Sequence, residues 1–267
     1  MTLEHGSDDD IRWLLPFCDT IFGADIDASL AFLLHVFGEM KVENNSRVLD
    51  AGCGVGRLTH PLALQGFEVV GIDTNPVYID YAKTRNTGSP ISPTFDLDSI
   101  TSLSTQPDGC FDSVICMLSV FHYLVGREDA ENAMKAISRV LKPSGCFVID
   151  LFNPFSILKS FQEVRTLTYR QGEYSIEHTF EHELFPAHQR WDHVGTISLF
   201  LDGKKLNSTS ELHSIRHYTF YELCSLAKIA GLKVCDSYAS YDSRTPSKWD
   251  SDVPDGSRMI VVGKKDS

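Results

Sequence analysis

The sequence predicts an α/β fold built on a doubly wound sheet, and three observations carry that prediction. Short apolar runs alternate with segments of helical period from Val48 to Leu151. The first run ends in a turn where glycine recurs at every second position, Gly52-Cys53-Gly54-Val55-Gly56, immediately before a helical segment. Beyond Phe155 the period changes from helical to strictly alternating, the mark of half-buried antiparallel strands.

Composition narrows the function classes. At 267 residues with 42% hydrophobic content, the chain suits one larger domain or one domain carrying an insertion. A net charge of -12 argues against holding nucleic acid through its phosphates, which needs a basic surface. The first ten residues have neither a basic start nor an apolar core, no run is long enough to span a membrane, and the expectation is a cytoplasmic protein without a membrane partner. Seven cysteines without a C-x-x-C pair read as reduced thiols rather than a disulfide frame, with Cys116, Cys146 and Cys235 expected in apolar strands.

In chain order, residues 1–10 are acidic and expected to lack order. Ile11–Phe22 and Asp27–Met40 follow as two amphipathic helices. The strand ending at Asp50 leads into the glycine turn, whose missing side chains let a ligand approach the backbone, and the helix from Arg57 to Leu64 turns its unpaired N–H groups toward that ligand. Glu68–Ile72 is a second strand, ending at Asp73, a carboxylate able to accept both hydroxyls of a ribose; Pro76–Arg85 is its helix. Ile91–Phe95 is a third strand, followed by Asp96 and Asp98. Phe111–Met117, apolar nearly throughout, suits the buried centre of a parallel sheet. Glu128–Leu141 is a helix closed by a Pro-Ser-Gly turn, and Cys146–Leu151 is the fifth strand.

The turn separates two ligand classes. A dinucleotide site wants G-x-G-x-x-G, and Arg57 stands where its third glycine belongs. Val48 to Thr59 instead resembles motif I of the class I S-adenosylmethionine (SAM) methyltransferases, a pattern close to VLD-x-G-C-G-x-G-R-x-T. The resemblance covers about residues 30–151 and 216–263, and Arg216 to Leu223 resembles that family's R-x-Y-T-x-x-E-L start of the last helix. It implies a seven-stranded sheet whose last strand runs antiparallel, SAM as cofactor, and a small-molecule methyl acceptor. It also implies cofactor contacts from Asp50, Gly52, Cys53, Gly54, Gly56, Asp73, Thr74, Asp96, Leu97, Met117 and Leu118, with Asp98 as the rival of Asp96 for the adenine amino group. His122 and Tyr123, in the segment that leaves the fourth strand, are the catalytic candidates. His122 is read either as a base or as a structural histidine bonded to backbone.

The insertion is where the acceptor would be chosen. Ser175–Phe185 alternates Ile176, His178, Phe180, His182 and Leu184 against polar residues, Arg190–Leu201 is extended, and Asp202-Gly203 turns the chain back into Leu206–Tyr218. Residues 155–217 would form a β roof over a core of 46–154 and 218–267, with 1–45 as a helical cap. Trp13, Asn153, Tyr169, His178, Trp191 and Arg216 are the acceptor-binding candidates. His178 and His182 do not suggest zinc, because residues four apart on a strand are separated by roughly 13 Å, so no metal is expected. The same strands could serve subunit contact, giving a homodimer. An RNA or protein methyltransferase on this fold, or a non-catalytic SAM-binding protein, are the other readings.

Overall fold

The computed structural model describes residues 8–23, 26–85, 88, 91–159, 161–242 and 256–266. Its strands are β1 (Arg47–Ala51), β2 (Glu68–Asp73), β3 (Thr94–Leu97), β4 (Phe111–Cys116), β5 (Leu141–Phe152), β6 (Val164–Gln171), β7 (Tyr174–Phe185), β8 (Arg190–Leu201), β9 (Lys204–Arg216), β10 (Leu232–Tyr238) and β11 (Arg258–Lys265). The helices are α1 (Cys18–Phe22), α2 (Ile26–Met40), α3 (Thr59–Leu64), α4 (Pro76–Thr84), α5 (Arg127–Val140), α6 (Pro154–Lys159) and α7 (Phe220–Ile229). A 3-10 helix, Asp8–Phe17, precedes α1, so three of the ten leading residues expected to lack order start an element. Residues 1–7 lie outside the described residues, as do 243–255, most of the polar loop before β11.

Seven strands form one sheet in the order β10-β11-β5-β4-β1-β2-β3. β1 to β5 run parallel and β11 runs antiparallel to both β5 and β10, the seven-stranded class I arrangement. Apolar side chains alternate to both faces, as a doubly covered sheet demands. One face packs Leu49, Ile72, Val114 and Phe147 against Met134 and Ile137 of α5 and Leu223 of α7. The other packs Val48, Val69, Ile115 and Val148 against Phe32, Leu33 and Phe37 of α2 and Leu62 of α3.

The second sheet has the order β6-β7-β8-β9. The sequence pattern outlines β7, β8 and β9; β6 is not singled out there, since its residues are mostly exposed and few of them are apolar. Cys116 and Cys146 are buried as expected, whereas Cys235 is exposed beside a register shift in β10, where the alternation is interrupted.

Between the two sheets lies the leading 3-10 helix with α1. Leu14, Phe17 and Ile21 pack on Ile176, Ile197 and Leu199 of the second sheet. Leu15 and Cys18 pack on Val55 of the glycine turn and Val77 of α4. Two arginines fasten the same element: Arg85 pairs with Asp19 at 2.8 Å and donates to the Val55 carbonyl, and Arg57 donates to the Phe22 carbonyl.

Candidate active site

The glycine turn leaves β1 where β1 and β4 are neighbours, the point at which the sheet's strand order reverses and open α/β sheets bind ligands. Gly52 has φ +85°, and a Cβ there would lie 2.4 Å from Val120 Cγ1, so only glycine fits. Gly54 has φ +53° and nothing within 4 Å of where its Cβ would stand, which leaves a cradle open. Gly56 closes the turn by donating its N–H to the Cys53 carbonyl. The Cys53 side chain is buried among Ile79, Ala82 and Phe95, which leaves only its backbone on the open side of the turn.

Asp50 is buried and accepts from the Thr59 hydroxyl at 2.7 Å. Burial lifts its pKa to about 6, with the Asp73 charge adding to the rise and the Thr59 bond and Arg57 opposing it. Asp73 accepts from Gly54 N at 2.8 Å and Asn75 N at 2.9 Å, which aims its carboxylate at the turn. Burial raises its pKa against those backbone bonds. Asn75 caps α4 through Val77 N, and Pro76 at the first helical position supplies the fixed φ. Thr74, beside them, is exposed.

Asp96 and Asp98 are now distinguishable. Asp98 is buried and accepts from Ser99 N, Ser102, Ser104, and both the N–H and hydroxyl of Thr105. Burial pushes its pKa up, but these bonds outweigh it and leave the pKa lowered, so its oxygens are committed to the loop. Asp96 accepts from Gln106 Nε2 at 2.9 Å, leaving acceptor capacity for a base, and Leu97 beside it is 54% exposed, an apolar lip.

The segment after β4 carries a signal the sequence reading missed. Leu118 and Ser119 both have positive φ, +56° and +71°, although neither is glycine. Such consecutive strain persists only where the surroundings impose it, and it clusters at functional sites. Asp150 imposes it: its carboxylate accepts from Leu118 N at 2.7 Å and its carbonyl from Ser119 N at 3.1 Å. Arg258 binds the same carboxylate with two nitrogens, and Tyr241 donates to it. Met117 packs in the core beneath, so its side chain fills space rather than standing free.

His122 is corrected as a base. Its Nδ1 bonds the Arg216 carbonyl at 2.6 Å and its Nε2 accepts from Phe152 N at 3.0 Å, so both nitrogens are spent on backbone. Burial, the leading cause, holds its pKa down at about 4. It ties the β4 exit to the ends of β5 and β9. Tyr123, one residue on, is 52% exposed, and its hydroxyl lies 3.3 Å from His213 Nδ1. Partial desolvation of its ring, with the Glu211 and Asp73 carboxylates adding to it, raises the phenol pKa above its usual value.

The register of the second sheet gathers histidines on the face that meets Tyr123. His182, His193 and His213 stand opposite one another on β7, β8 and β9, with His178 and Trp191 on the same face. His193 stacks on His213 with ring centroids 4.9 Å apart, and Trp191 Nε1 donates to His182 Nδ1 at 2.8 Å. Burial lowers the pKa of every one of these imidazoles, to about 4 for His178 and about 3 for His193. Phe22 of the leading helices meets His178 edge-on. Among the described residues no group of three or more His, Cys, Asp or Glu converges as a metal site.

Four acceptor candidates are engaged elsewhere. Arg216 lies one residue out of phase with His213 and Ile215, so its guanidinium turns to Glu222 at 3.1 Å and Gln189 at 3.3 Å. There it lines a cleft of about 360 Å³ between α5 and α7 that no glycine-turn residue borders. Asn153 accepts from Phe155 N and donates to the Gly256 carbonyl, a capping role. Trp13 and Tyr169 pack at the junction of the leading helix and the second sheet.

Residues 48–145 match the family described as Methyltransferase domain. YqeM of Bacillus subtilis, named as a methyltransferase, is 26% identical over 210 residues, spanning 78% of this chain and 82% of its own. A solved SAM-dependent methyltransferase from Clostridium acetobutylicum superposes with a TM-score of 0.75 at 20% identity, over 96% of this chain and 98% of its own. Residues 48–145 are a methyltransferase domain, and the chain is a SAM-dependent methyltransferase on the class I fold. The sugar N-methyltransferase KedS8 from Streptoalloteichus shares the methyltransferase's fold, with a TM-score of 0.75 at 16% identity over 100% of this chain and 98% of its own.

The residues present fit that cofactor. The open side of Gly54 is a cradle that any Cβ would fill, Asp73 and Asp96 keep acceptor capacity for sugar and base, and a buried carboxylate at Asp50 suits an ammonium. SAM supplies a methyl group on sulfonium sulfur, a donor already activated toward displacement. What remains for the methyltransferase's own side chains is alignment of the acceptor, exclusion of water and disposal of a proton.

Proposed function

We propose that the methyltransferase transfers a methyl group to a nitrogen or oxygen of a small molecule held between the β4 exit and the inner face of the second sheet. The observation that carries this reading is the bond from Tyr123, beside the cofactor turn, to His213 on that face. It brings an aromatic and imidazole wall to the methyl donor, and such walls hold a flat or polyhydroxylated small molecule through ring contact and a few hydrogen bonds. In this reading residues 155–217 are the acceptor roof, 46–154 and 218–267 the cofactor core, and 1–45 a lid whose Phe22 closes on both. The net charge of -12 weighs against RNA as acceptor. Seven free cysteines suit a reducing cytoplasm, and among the described residues no single helix is long and apolar enough to cross a membrane.

Labelled SAM incubated with a panel of small amines, amino sugars and catechols tests this. The expected result is label in at least one small product, and Trp191→Leu raising KM for that acceptor roughly tenfold while SAM affinity holds. Label found only in RNA or protein substrates would overturn it.

A further inference from the structure

We infer that Tyr123, His213 and Glu211 form a proton-accepting relay for the acceptor, in which Tyr123 touches the nucleophile's N–H or O–H and His213 takes up the proton. This rests on the reading of the second sheet as the acceptor wall.

The geometry is a phenol, an imidazole and a carboxylate in sequence. Tyr123 Oη is 3.3 Å from His213 Nδ1, and His213 Nε2 is 3.7 Å from Glu211 Oε2. In the relay the phenol donates to Nδ1 and the imidazole hydrogen sits on Nε2, on the side of the Glu211 carboxylate, which acts there as a nearby charge rather than a hydrogen-bond partner. That order of parts is the logic of nucleophile, base and orienting acid. Here the first member passes a proton and does not attack.

Two further observations favour the site. The strand opposite Glu211 carries Gly195, whose absent side chain leaves room between two imidazoles. A Cβ there would lie 3.4 Å from His178 Nε2 and 3.9 Å from His213 Nε2. Glycine within a strand weakens it and commonly marks a close approach by something else. In addition, His122 has no nitrogen left to serve, so an acceptor that must lose a proton needs another base.

The groups facing His213 are Tyr123 from the β4 exit, His193 of β8 and His178 of β7 from the neighbouring strands, and Glu211 two positions back on β9. Tyr78 of α4 lies within electrostatic reach of Glu211 and Tyr123, and Asp73 of β2 within reach of Tyr123. Burial keeps the imidazoles neutral at pH 7, and Glu211 opposes that for His213 alone. The imidazole best placed to become a cation is therefore the one bonded to Tyr123.

The step balances. The acceptor's lone pair forms the bond to the methyl carbon as the carbon–sulfur bond breaks, its electron pair staying on sulfur. The acceptor's proton passes to Tyr123 Oη while the Tyr123 proton passes to His213 Nδ1. The positive charge that began on sulfur ends on an imidazolium beside Glu211.

Two measurements on the whole protein test this. With bound S-adenosylhomocysteine and no acceptor, 15N-histidine spectra should show His213 neutral at pH 7 as the Nε2–H tautomer, with its Nδ1 signal shifted in Tyr123→Phe. An Nδ1–H tautomer, or no response to that substitution, overturns the relay. With tritiated SAM and catechol, benzylamine or glucosamine, His213→Asn keeps a bond acceptor for Tyr123 but cannot take its proton. Its kcat should fall on the order of 100-fold, with SAM affinity unchanged and the acidic limb of the pH–rate profile gone. Glu211→Gln, a half-exposed position, should move that limb to lower pH. An unchanged kcat and limb in both variants overturns the proposal. If wild-type protein binds SAM but methylates none of the three probes, the small-molecule reading is what fails, and the tautomer still decides the relay.

Discussion

The glycine turn and the inner face of the second sheet are built from different materials. Around the glycine turn the exposed polar groups are backbone N–H groups, absent side chains and carboxylates held by backbone N–H groups, as Asp73 is held by Gly54 and Asn75. On the second sheet they are side chains brought together by pairing between strands, His182 with His193 and His193 with His213. The first kind of site is rigid and intolerant of added atoms. The second is a surface whose chemistry can change with single substitutions while the strand pairing stays. A cofactor shared by many enzymes suits the former, and an acceptor that differs between enzymes suits the latter.

The contrast would be broken most severely at the ion pair under the β4 exit. Arg258→Met leaves the Asp150 carboxylate, 0% exposed, without its partner. An uncompensated buried charge costs about 3–5 kcal/mol, expected as a fall in melting temperature of roughly 10 °C together with lost SAM binding. A shift of only a degree or two in calorimetry would show that the pair does not hold the strained Leu118 backbone.

Next in size is Asp73→Ala. Losing charged bonds to a ribose, each about 1.5–3 kcal/mol, should weaken SAM binding on the order of 100-fold by titration calorimetry. Trp191→Leu should leave that affinity alone, and an equal loss in the two variants would erase the distinction between the halves.

Acid sharpens the same distinction. His178, with a pKa lowered to about 4, and His193, lowered to about 3, take up protons in the unfolded chain before they do in the folded one. Between about pH 6.5 and 4 the unfolded state therefore binds more protons, and stability falls as pH falls. Hydrogen exchange should show protection lost first in β7 to β9, with the parallel sheet following later; simultaneous loss would contradict the assignment.

The smallest effect is on the cofactor side. Asp50 titrates at about 6, and a cationic ammonium favours its charged form. SAM affinity should weaken up to tenfold per pH unit below that value, and Asp50→Asn should flatten the dependence.

Legibility in the sequence followed the range of the interactions. The glycine turn after β1 and the strand end at Asp73 were legible because a turn, a cap and a strand end are decided largely by neighbours within a few residues. Asp96 and Asp98 could not be separated until the hydroxyls of residues 102–105 were seen folded back on Asp98. His122 was left open between base and backbone tie because its partners, at 152 and 216, are remote in the chain. Arg216 points away from the face that carries His213 and Ile215, because one step along a strand turns a side chain to the opposite face, a reversal its place in the insertion does not reveal.

By itself the sequence determined the alternating core, the glycine turn and the acids beside it, since hydrophobic period and glycine spacing act locally. Only the tertiary structure decided that Asp150, Arg258 and Tyr241 pin a strained backbone, and that Tyr123 meets His213 across 90 residues. Those contacts depend on which strands become neighbours, and strand pairing at long range leaves no periodic trace in either partner's own segment.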